Sequence, residues 1–176
     1  MFDAVLHLRR NGLDRSTITR QLGLADGSYV LLTLHRAENT DDPARLRELM
    51  TYVADTAGGL EVVFPVHPRT RQALARTGIS TSGMRQIDPV GYLDMHRLLA
   101  GASMVLTDSG GLQKEAYFHH VPCVTLRDET EWTETIEAGW NRLWRGPGHS
   151  PHREIADYGR GDAAERIVDR MTRWLA

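Results

Sequence analysis

The stretch "VLTDSGGLQKEA", residues 105–116, decides the fold. Val105, Leu106 and Thr107 are strand-type residues, Asp108 and Ser109 make a small polar corner, and Gly110 and Gly111 open a helix-type run that carries Glu115. A strand that feeds directly into a helix presents unpaired backbone N–H groups at the positive end of the helix dipole. Two glycines leave no Cβ to hold a ligand off that backbone. The corner therefore suits a phosphate oxygen, although a capped turn without any ligand uses the same residues. Ser109 is not a nucleophile elbow, because the G-x-S-x-G pattern is missing.

Outward from this corner the chain alternates. "YVLLTLH" (29–35), "EVVFPVH" (61–67), "MVLTD" (104–108) and "CVTL" (123–126) are short apolar runs rich in Val, Leu and Thr. Amphipathic stretches over about 43–57, 69–77, 92–101 and 110–120 separate them, which predicts helices. Near-continuous apolar strands joined by helices require a parallel sheet covered on both faces, so the class is α/β, doubly wound. Asp42 before Pro43 predicts a capped helix start, and Asp162 with Glu165 has capping-box spacing. The helix after Asp162 carries Ile167, Val168, Met171, Trp174 and Leu175, an apolar face expected to pack on the sheet.

Composition narrows the function. With 21 basic against 23 acidic residues and a net charge of -2, the 176-residue chain carries no basic footprint for nucleic acid. No run approaches the roughly 18 apolar residues of a membrane span. The single cysteine, Cys123, lies in "VPCVTL" and reads as a buried thiol in a reducing, cytoplasmic setting. HExxH is absent and the adjacent His119 and His120 point apart on a helix, so no metal site is expected.

In open α/β sheets ligands collect at the carboxyl ends of the strands, which singles out four polar corners. The first is His35, Arg36, Glu38 and Asn39. His35 can donate to a phosphate or a leaving oxygen; Arg36 can clamp an anion or pair with Glu38. At the second corner His67 reads as a structural, hydrogen-bonded histidine. The third is Asp108–Gly111, where Glu115 is either a ribose acceptor or solvated helix surface. The fourth, "RDETEW" (127–132), can hold a sugar hydroxyl or cap the next helix.

In order along the chain, "TLHRAEN", "PVHPRTR", "DPVGYLDMHRLLAGA", "LTDSGGLQKEA", "VPCVTLRDETEWTETIEAGWNRL" and "YGRGDAAERI" resemble the C-terminal half of the non-hydrolysing UDP-N-acetylglucosamine 2-epimerases. The resemblance implies one Rossmann-like domain over residues 1–176, half of a GT-B-type two-domain fold. It implies interconversion of UDP-GlcNAc and UDP-ManNAc without a cofactor, through elimination and re-addition of UDP, as in cell-surface polysaccharide biosynthesis. Ser109, Gly110 and Gly111 match the diphosphate-binding turn, Glu115 the ribose ligand, and His35 the histidine that contacts the diphosphate and assists departure of UDP. Arg36 joins the UDP side. Val90 and Met95 fall where the family surrounds uracil. Arg127, Glu131 and Trp132 fall on the sugar side, Trp132 where many bacterial members carry an arginine.

The family's carboxylates that move the C2 proton belong to an N-terminal domain, and nothing here precedes "MFDAVL". The expected partners are therefore a UDP-sugar and that domain, in an intact enzyme expected to be a homodimer, and the chain alone is expected to be inactive. Two alternatives remain open at this point. One is a fragment of a retaining GT-B glycosyltransferase using Glu129 and Glu137 as an E-x7-E pair; the other is a non-catalytic nucleotide-sugar-binding module.

Overall fold

The computed structural model describes residues 1–175. In chain order the elements are α1 (Phe2–Asn11), α2 (Ile18–Gln21), β1 (Tyr29–Thr33), α3 (Ala37–Thr40), α4 (Pro43–Thr56), β2 (Glu61–Pro65), α5 (Pro68–Thr77) and β3 (Met84–Ile87). They continue with α6 (Tyr92–Gly101), β4 (Met104–Thr107), α7 (Gly110–Phe118), β5 (Cys123–Thr125), α8 (Thr133–Glu137), β6 (Asn141–Leu143) and α9 (Ala163–Leu175). The strands form one six-stranded sheet in the order β3-β2-β1-β4-β5-β6. Every pairing is parallel. The expected doubly wound, Rossmann-like sheet is what the chain forms.

Period-two alternation sorts each strand onto two cores. Val30, Leu32 and Leu34 join Leu46, Leu49 and Val53 of α4 on one face. Tyr29 and Leu31 join Leu98 and Leu99 of α6 with Leu112 and Ala116 of α7 on the other. All three aliphatic residues from Val30 to Leu32 are fully buried, each worth about 1.5–3 kcal/mol relative to exposure. Tyr29 meets the condition for a buried phenol by donating to the Leu98 carbonyl at 2.5 Å. Cys123 is buried, and burial pushes its thiol up from the ordinary value.

The helix signals hold in part. Asp42 accepts from the Ala44 and Arg45 amides with Pro43 at the first position of α4. The start of α9 is different: the Ala164 amide donates to Asp3 of α1 at 2.9 Å, and among the described residues no Asp162 side-chain cap is formed. The expectation that α9 packs on the sheet is overturned. Ile167, Val168, Met171, Trp174 and Leu175 are all exposed, Trp174 by 85%. Both sheet faces are already covered, one by α4 and α5 and the other by α2, α6 and α7.

Two strands carry no apolar run in the sequence. These are β3, half of it exposed, and β6, three residues long. Both lie at sheet edges, where one partner strand supplies the register and little apolar surface is demanded. No described helix is long and apolar enough to cross a membrane.

Candidate functional site

The strand order reverses between β1 and β4, which is where an open α/β sheet leaves a crevice at the carboxyl ends. The two strands are zipped to their last residues, Thr33 opposite Thr107, with the two hydroxyls 2.6 Å apart. The chain leaves β1 into His35 and Arg36 and leaves β4 into Asp108 and Ser109, so the first and third polar corners become neighbours.

Asp108 joins them. Its carboxylate is fully buried and accepts from the His35 amide at 2.9 Å, the Arg36 amide at 2.8 Å and Asn39 Nδ2 at 3.2 Å. His35 Nδ1 lies 2.9 Å from the other carboxylate oxygen. Burial alone would raise the Asp108 pKa, but the bond from the His35 ring and the two backbone N–H bonds together hold it below the ordinary value. The same ring bond to Asp108 raises His35 above 6.5 against partial desolvation. His35 Nε2 is then the ring nitrogen left for a ligand. Asn39 extends the clamp, donating to the Leu126 carbonyl at 2.9 Å and accepting from Arg45 at 2.7 Å.

Beside this clamp lies a cavity of about 430 Å³. His35, Val90, Met95, Ser109, Gly111 and Glu115 line it, with Thr33, Pro65, His67, Pro89 and Leu112 completing the wall. Six of the expected UDP-side residues thus share one concave site. Ser109 stands at the N-cap of α7, yet its side chain caps nothing; its amide donates instead to Thr107 Oγ1 at 2.9 Å. The hydroxyl and the first-turn amides of α7 are therefore available to an anion.

The two glycines have different reasons to be there. A Cβ at Gly110 would collide with the Glu131 carboxylate, while one at Gly111 would meet nothing within 4 Å. Gly110 makes room for protein, and Gly111 keeps open a wall of the cavity.

The remaining expected residues lie elsewhere or are otherwise engaged. Arg36 makes no ion pair with Glu38 among the described residues; Glu38 approaches Arg127 at 3.6 Å instead. Arg127 is also bound to Glu131 at 2.8 Å. A smaller cavity of about 260 Å³ is formed by Glu38, Arg45, Arg127, Asp128 and Glu129. Trp132 receives Lys114 Nζ over its ring at 3.6 Å, and its indole nitrogen is buried without a partner near Gly110. Glu129 borders that smaller cavity, and Glu137, at the end of α8, borders another.

His67 acts as a structural histidine, its Nδ1 accepting from the Arg69 amide at 3.2 Å, although its ring also borders the site. His119 and His120 do point apart, to His96 and Trp140. Among the described residues no group of three or more His, Cys, Asp and Glu could hold a metal.

Sequence reasoning passed over Asp108 and Asn39 as functional side chains. Both stand among the four polar corners but carry no assigned role there; the signal is that strand order 2-1-4 makes β1 and β4 neighbours.

Residues 1–172 match the family model described as UDP-N-acetylglucosamine 2-epimerase. The chain is 44% identical over 170 residues to a UDP-2,3-diacetamido-2,3-dideoxy-D-glucuronate 2-epimerase of Pseudomonas aeruginosa, covering 88% of this chain and 48% of the relative. It is 35% identical over 175 residues to a UDP-N-acetylglucosamine 2-epimerase of Methanocaldococcus jannaschii, covering 84% and 45%. A solved structure of UDP-GlcNAc 2-epimerase from the same organism superposes with a TM-score of 0.84 at 33% identity, over 98% of this chain and 54% of that one. Another, in complex with UDP-GlcNAc and UDP, gives 0.79 at 32% identity over 98% and 52%. The chain spans about half the length of these relatives.

Proposed function

Because the chain belongs to the UDP-N-acetylglucosamine 2-epimerase family, we propose that it is the UDP-binding half of an enzyme inverting C2 of a UDP-2-acetamido sugar. The observation that carries this reading is the cavity at the β1/β4 switch point, which joins an uncapped helix N-terminus, a histidine clamped by a buried carboxylate, and Glu115. In it, the first-turn amides of α7 and Ser109 hold the diphosphate, Glu115 accepts from the ribose hydroxyls, and Val90 and Met95 flank the base. Arg36 adds charge at the mouth; Arg127, Glu131 and Trp132 face the sugar.

The chemistry asks two things of these residues. A base takes the C2 proton while the C1–O bond breaks, its electron pair leaving on UDP and a C1=C2 double bond forming. UDP then adds back to C1 as C2 is reprotonated on the opposite face. His35 serves the first step by donating to the departing diphosphate, and its bond to Asp108 favours the protonated ring that does so. Keeping UDP anchored through the glycal stage is the task of the α7 corner.

The C2 base belongs to a second domain in this reading, within a dimeric intact enzyme, and the chain alone does not turn over. Two sugars are the candidates: UDP-GlcNAc, and the diacetamido glucuronate named for the Pseudomonas aeruginosa relative; a UDP-N-acetylglucosamine 2-epimerase of Methanococcus maripaludis is equally 44% identical. Incubation of the purified chain with either UDP-sugar in deuterated water tests the division of labour. C2 is expected to keep its proton; deuterium at C2 would overturn it. Calorimetric titration with UDP tests the binding role, and absence of binding would refute it.

A further inference from the structure

Glu115 is backed by a buried histidine pair that the reaction scheme does not use. His96, on α6, is 1% exposed. Its Nδ1 lies 2.9 Å from Nε2 of His119, at the C-terminal end of α7. Its Nε2 is buried without a hydrogen bond, and the Glu115 carboxylate lies 3.5 Å away. Tyr92 closes the remaining side, its ring edge-on to His96 at 4.3 Å between centroids.

Proton placement follows from these contacts. Were His96 to carry its proton on Nδ1 and give it to His119, a bare nitrogen lone pair would face a carboxylate at 3.5 Å, and both groups would be acceptors. The opposite tautomer removes that conflict: His119 Nε2–H donates to His96 Nδ1, and the His96 Nε2–H faces the Glu115 carboxylate across 3.5 Å, within reach of a small side-chain adjustment. Glu115 is itself only partly shielded, 16% exposed, and borders the cavity. A carboxylate on a helix surface samples several rotamers unless something fixes it, and fixing it beforehand removes that cost from ligand binding.

We propose that His96, with its tautomer set by His119, is a positioning residue that holds the Glu115 carboxylate toward the cavity for the two ribose hydroxyls of a nucleoside diphosphate. The proposal rests on the reading of the cavity as a UDP site. It requires no proton transfer: His96 donates one hydrogen bond to the back of a carboxylate whose front accepts from the ligand.

The test is calorimetric titration of the chain with UDP and with 2′,3′-dideoxyuridine diphosphate, which keeps the base and diphosphate but lacks both hydroxyls. His96→Phe is expected to weaken UDP about tenfold while leaving the dideoxy ligand within about twofold, as loss of one charge-assisted hydrogen bond requires. His96→Gln, whose amide nitrogen can donate along the same line, is expected to restore UDP affinity to within about threefold. His119→Phe, a milder change on the partly exposed member of the pair, is expected to weaken UDP about threefold and spare the dideoxy ligand. It keeps the idea testable if His96→Phe does not fold.

Equal weakening of both ligands, or unchanged UDP affinity in His96→Phe or His119→Phe, would overturn the positioning role. If Glu115→Gln separates the two ligands and neither histidine variant does, the positioning role alone fails. If wild-type chain binds neither ligand, the UDP reading fails and takes the positioning role with it.

Discussion

Replacing Asp108 by Asn perturbs the junction on which the site is built. One oxygen of Asp108 accepts from the His35 amide, the Arg36 amide and Asn39 Nδ2, while the other faces His35 Nδ1. An asparagine can keep its carbonyl toward the three donors and turn its amide toward a neutral His35 ring, so the geometry survives. What is lost is charge. Hydrogen bonds to a charged group are worth about 1.5–3 kcal/mol against roughly 0.5–1.5 for neutral ones, so three such bonds lose about 3 kcal/mol in all. Set against a total of about 5–15 kcal/mol, the variant still folds. With an m-value of about 2 kcal/mol/M, the urea midpoint should fall by about 1.5 M.

A second signature separates this from generic damage. The His35 pKa lies above 6.5 in the folded chain because of Asp108. Between 6.5 and that raised value the folded chain binds the proton that the unfolded chain releases. The stabilisation is therefore complete below 6.5 and is lost as pH rises through the folded value. Wild-type midpoints should decline across that window and Asp108→Asn midpoints should not, the size being reduced by the exposure of the His35 side chain, 42%. A midpoint shift under about 0.3 M, or an unchanged slope with pH, would refute the clamp.

His119 gives the opposite slope. Burial, reinforced by the nearby His96, Arg9 and His120, holds its pKa down to about 3. Between 6.5 and 3 the unfolded chain takes up a proton that the folded chain refuses, so wild type loses stability as pH falls through that range. His119→Phe should lose less, and the gap in urea midpoint between the two proteins should narrow from pH 7 to pH 5. Ser109→Ala removes a hydroxyl that caps nothing, so the thermal midpoint should stay within about 2 °C while UDP affinity drops by several-fold.

The sheet was legible in the sequence because its four inner strands are buried on both faces and must be apolar at nearly every position. Of the edge strands, β3 is half exposed and β6 is only three residues long, and their residues "MRQI" and "NRL" carry no such signature. The α9 stripe misled for a related reason. Periodicity reports that a helix has an apolar face, not what covers it, and here Trp174 and Leu175 face outward. In the site, the cavity side of the assignment was legible because corner residues fall at strand ends that topology brings together. Asp108 and Asn39 were harder to value, since their role is to satisfy each other's neighbours across 69 positions of sequence. The His96–His119 contact lies outside any corner, on two helices whose facing could not be read from either alone.

The central claim is that the cavity beside Gly111 holds the diphosphate of UDP. The most direct measurement is calorimetric titration of UDP into wild-type chain and Gly111→Ala side by side, with a urea melt of each. A methyl group there meets no protein atom within 4 Å, and alanine within a helix is favoured over glycine by roughly 0.5–1 kcal/mol. The account predicts a variant that is slightly more stable and binds UDP at least about tenfold more weakly. Equal UDP affinity in the two proteins, or no UDP binding by wild type, would contradict it.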